Sequence, residues 1–163
     1  PSSLSFCTRA VLARLRGMTE EEFAKLPDCG EGLSGLLCRA AQQATYLDAL
    51  YSLVKSKRYT HARIRRLVLW AFLGLTAADR PETPPYLRVL GFSPKGQALL
   101  RQMKDRATLP ILVKPAHITR LSPEAQQLFQ KEARCTGFYG LCQRELGAIS
   151  QESEYRAGPV ILP

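Results

Sequence analysis

Residues 64–75 constrain the fold more than any other stretch of the chain. Ile64, Leu67, Val68, Ala71, Phe72 and Leu75 recur at the helical period, while Leu69, Trp70 and Leu73 fill much of the opposite side. A helix apolar on nearly every side must be covered by other elements. The uncharged run Leu67–Leu75 is about half the ~20 residues a bilayer span needs, so the expected cover is protein. This segment is predicted to be the central helix of a packed helical domain, and no membrane association is expected. With 163 residues and 45% hydrophobic composition, the chain has enough apolar material for a core. Residues 1–163 are expected to form a single domain. The chain opens on Pro1 and passes at once into an amphipathic segment, so it reads as an excised piece of a longer protein.

The remaining helices follow from period and punctuation. A first helix is predicted from about Ser3 to Arg16, stopped at Gly17. A second starts at Thr19, where Thr19–Glu22 forms a capping box, and ends at Leu26 before Pro27; the two are expected to form a hairpin. After the turn Asp28–Gly32, the series Leu33, Leu36, Leu37, Ala40, Ala41 and Ala44 marks a helix with one buried face. Thr45, with Asp48 three residues on, is expected to cap a short helix through Leu47, Leu50, Tyr51 and Val54. Thr60 is expected to cap the central helix.

Past the proline-rich stretch 80–85, Tyr86–Leu90 reads as a short strand. Ser93-Pro94 supplies an N-cap and a first-turn proline for a helix to about Asp105, and Ile111–Val113 reads as a second strand. Strand, helix and strand in this order predict a two-stranded parallel pair near residues 86–113. Ser122-Pro123-Glu124 opens a last long helix to about Cys142, followed by a polar tail. The fold class is therefore mainly α, with a minor parallel β element. The five cysteines, Cys7, Cys29, Cys38, Cys135 and Cys142, match no metal-ligand spacing. Together with the absence of a leader sequence, this reads as reduced packing thiols in a cytoplasmic protein, Cys135 and Cys142 on one helical face.

Charge carries the functional information. Lys and Arg total 23 against 14 acids, a net charge of +9, and such an excess attracts polyanions. Between Asp48 and Asp79 no acid occurs, and this window holds Lys55, Lys57, Arg58, Arg63, Arg65 and Arg66. Like charges one turn apart repel by a few tenths of a kcal/mol, so an anionic partner is expected. Phosphate suits the pattern, because these cations surround a helix N-terminus. Tyr59 among them either stacks on an unpaired base or belongs to the core. A second set, Lys95, Arg101, Lys104, Arg106, Lys114 and Arg120, is opposed only by Asp105; it forms a further binding face or an ordinary dispersed surface. Arg88, inside the first strand, is alternatively a structural ion-pair partner.

Catalytic signatures are missing. His61 and His117 lie far apart, and no Ser-His-Asp order, HExxH pattern or usual glycine-rich phosphate loop occurs. Gly91–Gly96 before a helix is either a single-phosphate site or a plain capped turn. No metal site is expected.

The block Lys55-Ser56-Lys57-Arg58-Tyr59-Thr60-His61-Ala62-Arg63-Ile64-Arg65-Arg66-Leu67, followed by Pro85-Tyr86-Leu87-Arg88-Val89-Leu90-Gly91-Phe92-Ser93-Pro94-Lys95-Gly96, resembles the family patterns KTKRYTxxRIxRL and PPYIRVLGFxxKG. These belong to the C-terminal domain of bacterial tRNA(Met) cytidine acetate ligases, nucleotidyltransferase-family proteins. Weaker likenesses at Glu31-Gly32-Leu33, Leu109-Pro110-Ile111 with Lys114, Arg134 with Tyr139, and Pro159-Val160-Ile161 extend it over nearly the whole chain. One departure is clear: the family has Glu-Asn-Arg where this chain has Ser34-Gly35-Leu36.

The resemblance implies a parent enzyme that activates acetate with ATP and magnesium and acetylates the wobble cytidine of elongator tRNA(Met). It assigns the ATP site and a HIGH-like motif to an N-terminal nucleotidyltransferase domain, the expected partner of this one. This chain, without that motif, is then the tRNA-holding part, with no catalytic residue and no cofactor of its own. By the same resemblance Lys55, Lys57, Arg58, Arg63, Arg65 and Arg66 contact tRNA backbone, Tyr59 and Thr60 shape the turn or meet a base, and Arg88 and Lys95 come second. The alternative is an interaction or dimerisation domain that supports the nucleotidyltransferase half without touching RNA.

Overall fold

The computed structural model describes residues 2–163 and divides them into two compact units. The first comprises residues 2–80 with Leu141–Glu145, the second Pro81–Gly140 with Leu146–Pro163. The fold class is mainly helical with small parallel β pairs, as the periodicity predicts.

In the first unit a 3-10 turn, Leu4–Cys7, leads into α1 (Thr8–Arg16). The predicted capping box opens α2 (Glu20–Ala24): Glu22 N–H donates to the Thr19 hydroxyl at 3.3 Å and Thr19 N–H to the Glu22 carboxylate at 2.8 Å. Five residues make little more than one turn, too little to run alongside α1. The expected hairpin does not form, and α2 packs chiefly against α3 (Leu33–Gln43). α3 buries Leu33, Leu37, Ala40 and Ala41. α4 (Leu47–Val54) has Tyr46 at its N-cap with no side-chain hydrogen bond. The expected Thr45–Asp48 box is therefore absent, because the hydroxyl stands one residue too early.

α5 (His61–Leu73) is capped as predicted: Arg63 N–H donates to the Thr60 hydroxyl at 3.3 Å, and the helix stops at Gly74, whose φ of 66° is left-handed. It packs on α1 and α4 and buries Ile64, Leu67, Val68, Ala71 and Phe72. Leu69 stays 41% exposed. The helix is therefore not enclosed on all sides, contrary to expectation.

In the second unit β1 (Leu87–Arg88) pairs in parallel with β3 (Ile111–Leu112), and α6 (Pro94–Lys104) lies between them in sequence. Ser93 caps α6 by accepting from Gly96 N–H at 3.2 Å. α7 (Pro123–Leu141) opens at Ser122 as expected. The core is Tyr86, Leu112, Ile118, Ala125, Phe129 and Ala133, with the Tyr155 ring edge-on to Phe129 at 5.0 Å.

Two elements were not predicted, and both lie in the supposed polar tail. α8 (Gln151–Arg156) is capped by Ser150, and β4 (Val160–Ile161) pairs in parallel with β2 (Gly91–Phe92). α8 is held by side chains remote in sequence, Arg88 on Glu154 and Phe129 on Tyr155, and β4 by backbone N–H donation from Val160 to the Leu90 carbonyl and from Leu162 to the Phe92 carbonyl. A Cβ on Gly91 would stand 2.9 Å from the Val160 carbonyl, so β4 lies directly on it.

All five cysteines are free thiols; Cys7, Cys29 and Cys142 are buried. Cys142 falls just past the end of α7, so it shares no helical face with Cys135. The Cys7 thiol donates to the Leu141 carbonyl at 2.9 Å.

Candidate nucleic-acid interface

The cationic stretch lies wholly in the first unit, and its local fold follows from two hydroxyls. Ser56, just past the end of α4, accepts from Arg58 N–H and Tyr59 N–H, both at 3.2 Å, while Ser56 N–H donates to the Tyr59 carbonyl at 3.3 Å. This closes a tight turn with Lys57 and Arg58 at its tip. Thr60 then starts α5. Lys55, Lys57, Arg58, Arg65 and Arg66 are exposed, as is Thr60. Among the described residues Lys55, Lys57 and Arg58 have no carboxylate partner.

Two residues of the set, Tyr59 and Arg63, are engaged by the protein itself. Tyr59 is only 4% exposed, and its hydroxyl donates to the Glu31 carbonyl at 2.5 Å. Of the two readings for this ring, the core is the one the structure contains; it has no open face for a base. Arg63 donates Nε–H and Nη2–H to the Asp28 carbonyl at 3.0 and 2.6 Å, with its guanidinium 5.5 Å over the Tyr59 ring. Arg66 approaches the Asp28 carboxylate at 4.0 Å, both side chains being more than half exposed. Such a pair is screened and contributes about 0–1 kcal/mol, so Arg66 remains open to an anion. Arg65 lies 5.4 Å over the Tyr51 ring. Burial, partly offset by Arg65, pushes the Tyr51 hydroxyl up.

The result is a surface with cations at the tip of a turn and along the first helical turns beyond it, backed by the hydrogen-bonded Tyr59 and Arg63. Among the described residues the carboxylate paired with it is that of Asp28. Long cationic side chains with no internal partner suit a flexible chain of phosphates better than a single buried anion.

The second unit separates the two residues expected to follow. Lys95 is exposed at the start of α6. Arg88 is structural: it pairs with Glu132 at 3.5 Å and with Glu154, and lies 5.1 Å over the Phe129 ring. Tyr86 donates to the same Glu132 at 2.7 Å, and burial followed by that bond pushes its hydroxyl well above its usual range. These carboxylates come from α7 and the unpredicted α8, so the β1 sequence alone carried no sign of them. The Gly91–Gly96 loop is a strand end joined to a capped helix. Its Gly96 N–H is already taken by Ser93.

Among the described residues no group of three His, Cys, Asp or Glu stands together, and neither His61 nor His117 has the neighbours of a HIGH motif. The described residues also contain no helix long and apolar enough to cross a membrane.

A helical domain with a turn of exposed cations is the class that this geometry defines. The profile of the HIGH Nucleotidyl Transferase family matches residues 2–154, and the chain belongs to that family. Among curated proteins it is 29% identical over 154 residues to the tRNA(Met) cytidine acetate ligase of Alkaliphilus metalliredigens, covering 91% of this chain and 36% of that one. It is 35% identical over 126 residues to the ligase of the same name from Caldanaerobacter subterraneus, covering 76% and 31%. The fold is that of Thermotoga maritima TmcAL. In a structure of that protein bound with alpha-thio ATP the TM-score is 0.90 at 24% identity, over 99% of this chain and 42% of the other. The chain thus spans well under half the length of the relatives it matches.

Proposed function

We propose that residues 1–163 act as the tRNA-holding C-terminal domain of a cytoplasmic tRNA(Met) cytidine acetate ligase. In this reading a nucleotidyltransferase domain elsewhere in the protein binds ATP with magnesium, activates acetate, and delivers the acetyl group to the wobble cytidine. This chain supplies grip on the tRNA and no reacting group. The reading rests above all on the solvent-facing set Lys55, Lys57, Arg58, Arg65 and Arg66, arranged round the Ser56–Tyr59 turn with one weak carboxylate contact among them. The likeness to ligases whose names specify tRNA(Met) supports the choice of polyanion. The absence of a HIGH sequence supports placing the chemistry in another domain.

The chain is expected to bind tRNA with log affinity falling against log salt by roughly 0.7–0.9 per phosphate neutralised. The variant Lys57→Ala/Arg58→Ala/Arg66→Ala should weaken binding by at least ten-fold at about 0.1 M salt and shrink the slope by roughly two to three phosphates. Equal affinity and equal slope in that variant would show that the polyanion, if bound, lies elsewhere.

A second reading has its own support. Leu90 (70%), Ile161 (73%), Val160 (62%) and Leu99 (57%) are exposed apolar side chains of the second unit, and exposed apolar surface is what protein–protein contacts cover. This favours a docking role toward the nucleotidyltransferase domain, with or without RNA contact. Sedimentation of the chain with and without a relative's separate nucleotidyltransferase domain separates the two: complex formation without any tRNA affinity favours docking alone.

A further inference from the structure

Only two non-glycine residues among those described adopt left-handed backbone: Asp28 at φ 60° and Glu31 at φ 62°. Both lie in one short turn, and the carbonyl of each is held by a side chain from the cationic block. Arg63 donates twice to the Asp28 carbonyl, at 3.0 and 2.6 Å, and Tyr59 donates to the Glu31 carbonyl at 2.5 Å. The guanidinium of Arg63 in turn lies over the Tyr59 ring. Asp adopts this conformation more readily than most residues, but Glu does not choose it unaided. The turn is therefore kept in shape by residues on the other side of the site.

We infer that Tyr59 and Arg63 are positioning residues for RNA binding, acting through the Asp28–Gly32 turn rather than by contact with phosphate. The inference rests on the RNA-holding reading above. Fixing the Asp28 backbone fixes where its carboxylate stands at the edge of the cationic surface, 4.0 Å from Arg66. The cationic block then has two classes of residue. Lys57, Arg58 and Arg66 face outward and neutralise phosphate; Tyr59 and Arg63 face inward and keep the edge of the surface rigid. Strained backbone held by surrounding groups is a recurrent feature of binding sites, because the bound shape is prepared in advance.

The two classes differ in a readout that a general loss of stability does not imitate. Tyr59→Phe removes one hydroxyl and no charge. Arg63→Lys keeps the charge and removes the paired donation. Both variants, measured where urea titration shows them folded, are expected to bind tRNA about five-fold more weakly, the effect of one hydrogen bond, with the salt slope of the wild type. Arg58→Ala should reduce the slope by about one phosphate. The strain supplies a rescue: in the Tyr59→Phe background Glu31→Asn, which tolerates left-handed backbone, should restore affinity, whereas Glu31→Gln, which removes the same charge without that tolerance, should not. Wild-type affinity in either single variant, a reduced slope in either, or equal rescue by Asn and Gln overturns the inference. If the wild-type chain shows no salt-dependent tRNA binding, the RNA-holding reading itself fails, a distinct result.

Discussion

Thr60 shows how far a single residue can be read from sequence. A hydroxyl directly before a helical period satisfies an otherwise unpaired N–H, and the Thr60 oxygen accepts from Arg63 as expected; Thr60→Ala should cost about 1 kcal/mol in urea unfolding. Thr45 has the same local pattern and caps nothing, because the packing of α4 begins that helix one residue later. Arg88 and Tyr59 illustrate the opposite limit. Tyr59 stands in the cationic block and Arg88 inside a strand, and each has its partner far along the chain: Glu132 and Glu154 for Arg88, the Glu31 carbonyl for Tyr59. Arg88→Ala would leave two partly buried carboxylates unpaired. It should lower stability by about 2–4 kcal/mol while the salt slope of the proposed tRNA binding stays unchanged, a combination that calorimetry and a salt titration together would detect.

At the scale of elements, long periodic helices were legible and short pieces were not. α5 carries an apolar face together with a start signal, so period and cap agree on its existence, whereas α3 is legible by its apolar period and α6 and α7 by their start signals. α2 was legible by its capping box, yet its packing against α3 was not, since one turn of helix has no face of its own to declare a partner. β2 and β4 are two residues each, shorter than any alternation can reveal. Their pairing depends on Gly91, which leaves room for the Val160 carbonyl. Gly91→Val should push β4 off, with tail residues near 160 losing hydrogen-exchange protection before the rest of the second unit. Phe129, fully buried at the centre of that unit, should cost about 3–5 kcal/mol when replaced by alanine.

For the molecule as a whole, charge and thiol chemistry set the response to solution conditions. Burial pushes the thiols of Cys29 and Cys142 up to about 11, with the Cys7 thiol contributing to the second. The neutral forms are the ones the fold accommodates. Stability from these groups is therefore complete below the ordinary thiol value near 9 and is lost as pH rises from there through about 11. Unfolding midpoints measured from pH 7 to 11 should fall over that upper window, and alkylation of both thiols at neutral pH should be slow compared with that of a free thiol. The net charge of +9 makes association with any polyanion sensitive to salt. The specificity of that association depends on which cations project and which are used internally.

The sequence by itself determined the helical class, the helix starts at Thr19, Thr60, Ser93 and Ser122, the β1–β3 pair, and the block in which the cations cluster. All of these are local, because hydrophobic period, capping hydroxyls and charge runs act over a few residues. Only the tertiary structure decided the division into two units, the docking of the tail through α8 and β4, and the separation of the basic block into outward Lys57 and Arg58 and inward Tyr59 and Arg63. Those outcomes turn on partners tens of residues away. A hydrogen bond to a remote carbonyl or carboxylate leaves no periodic mark on either of the segments it joins.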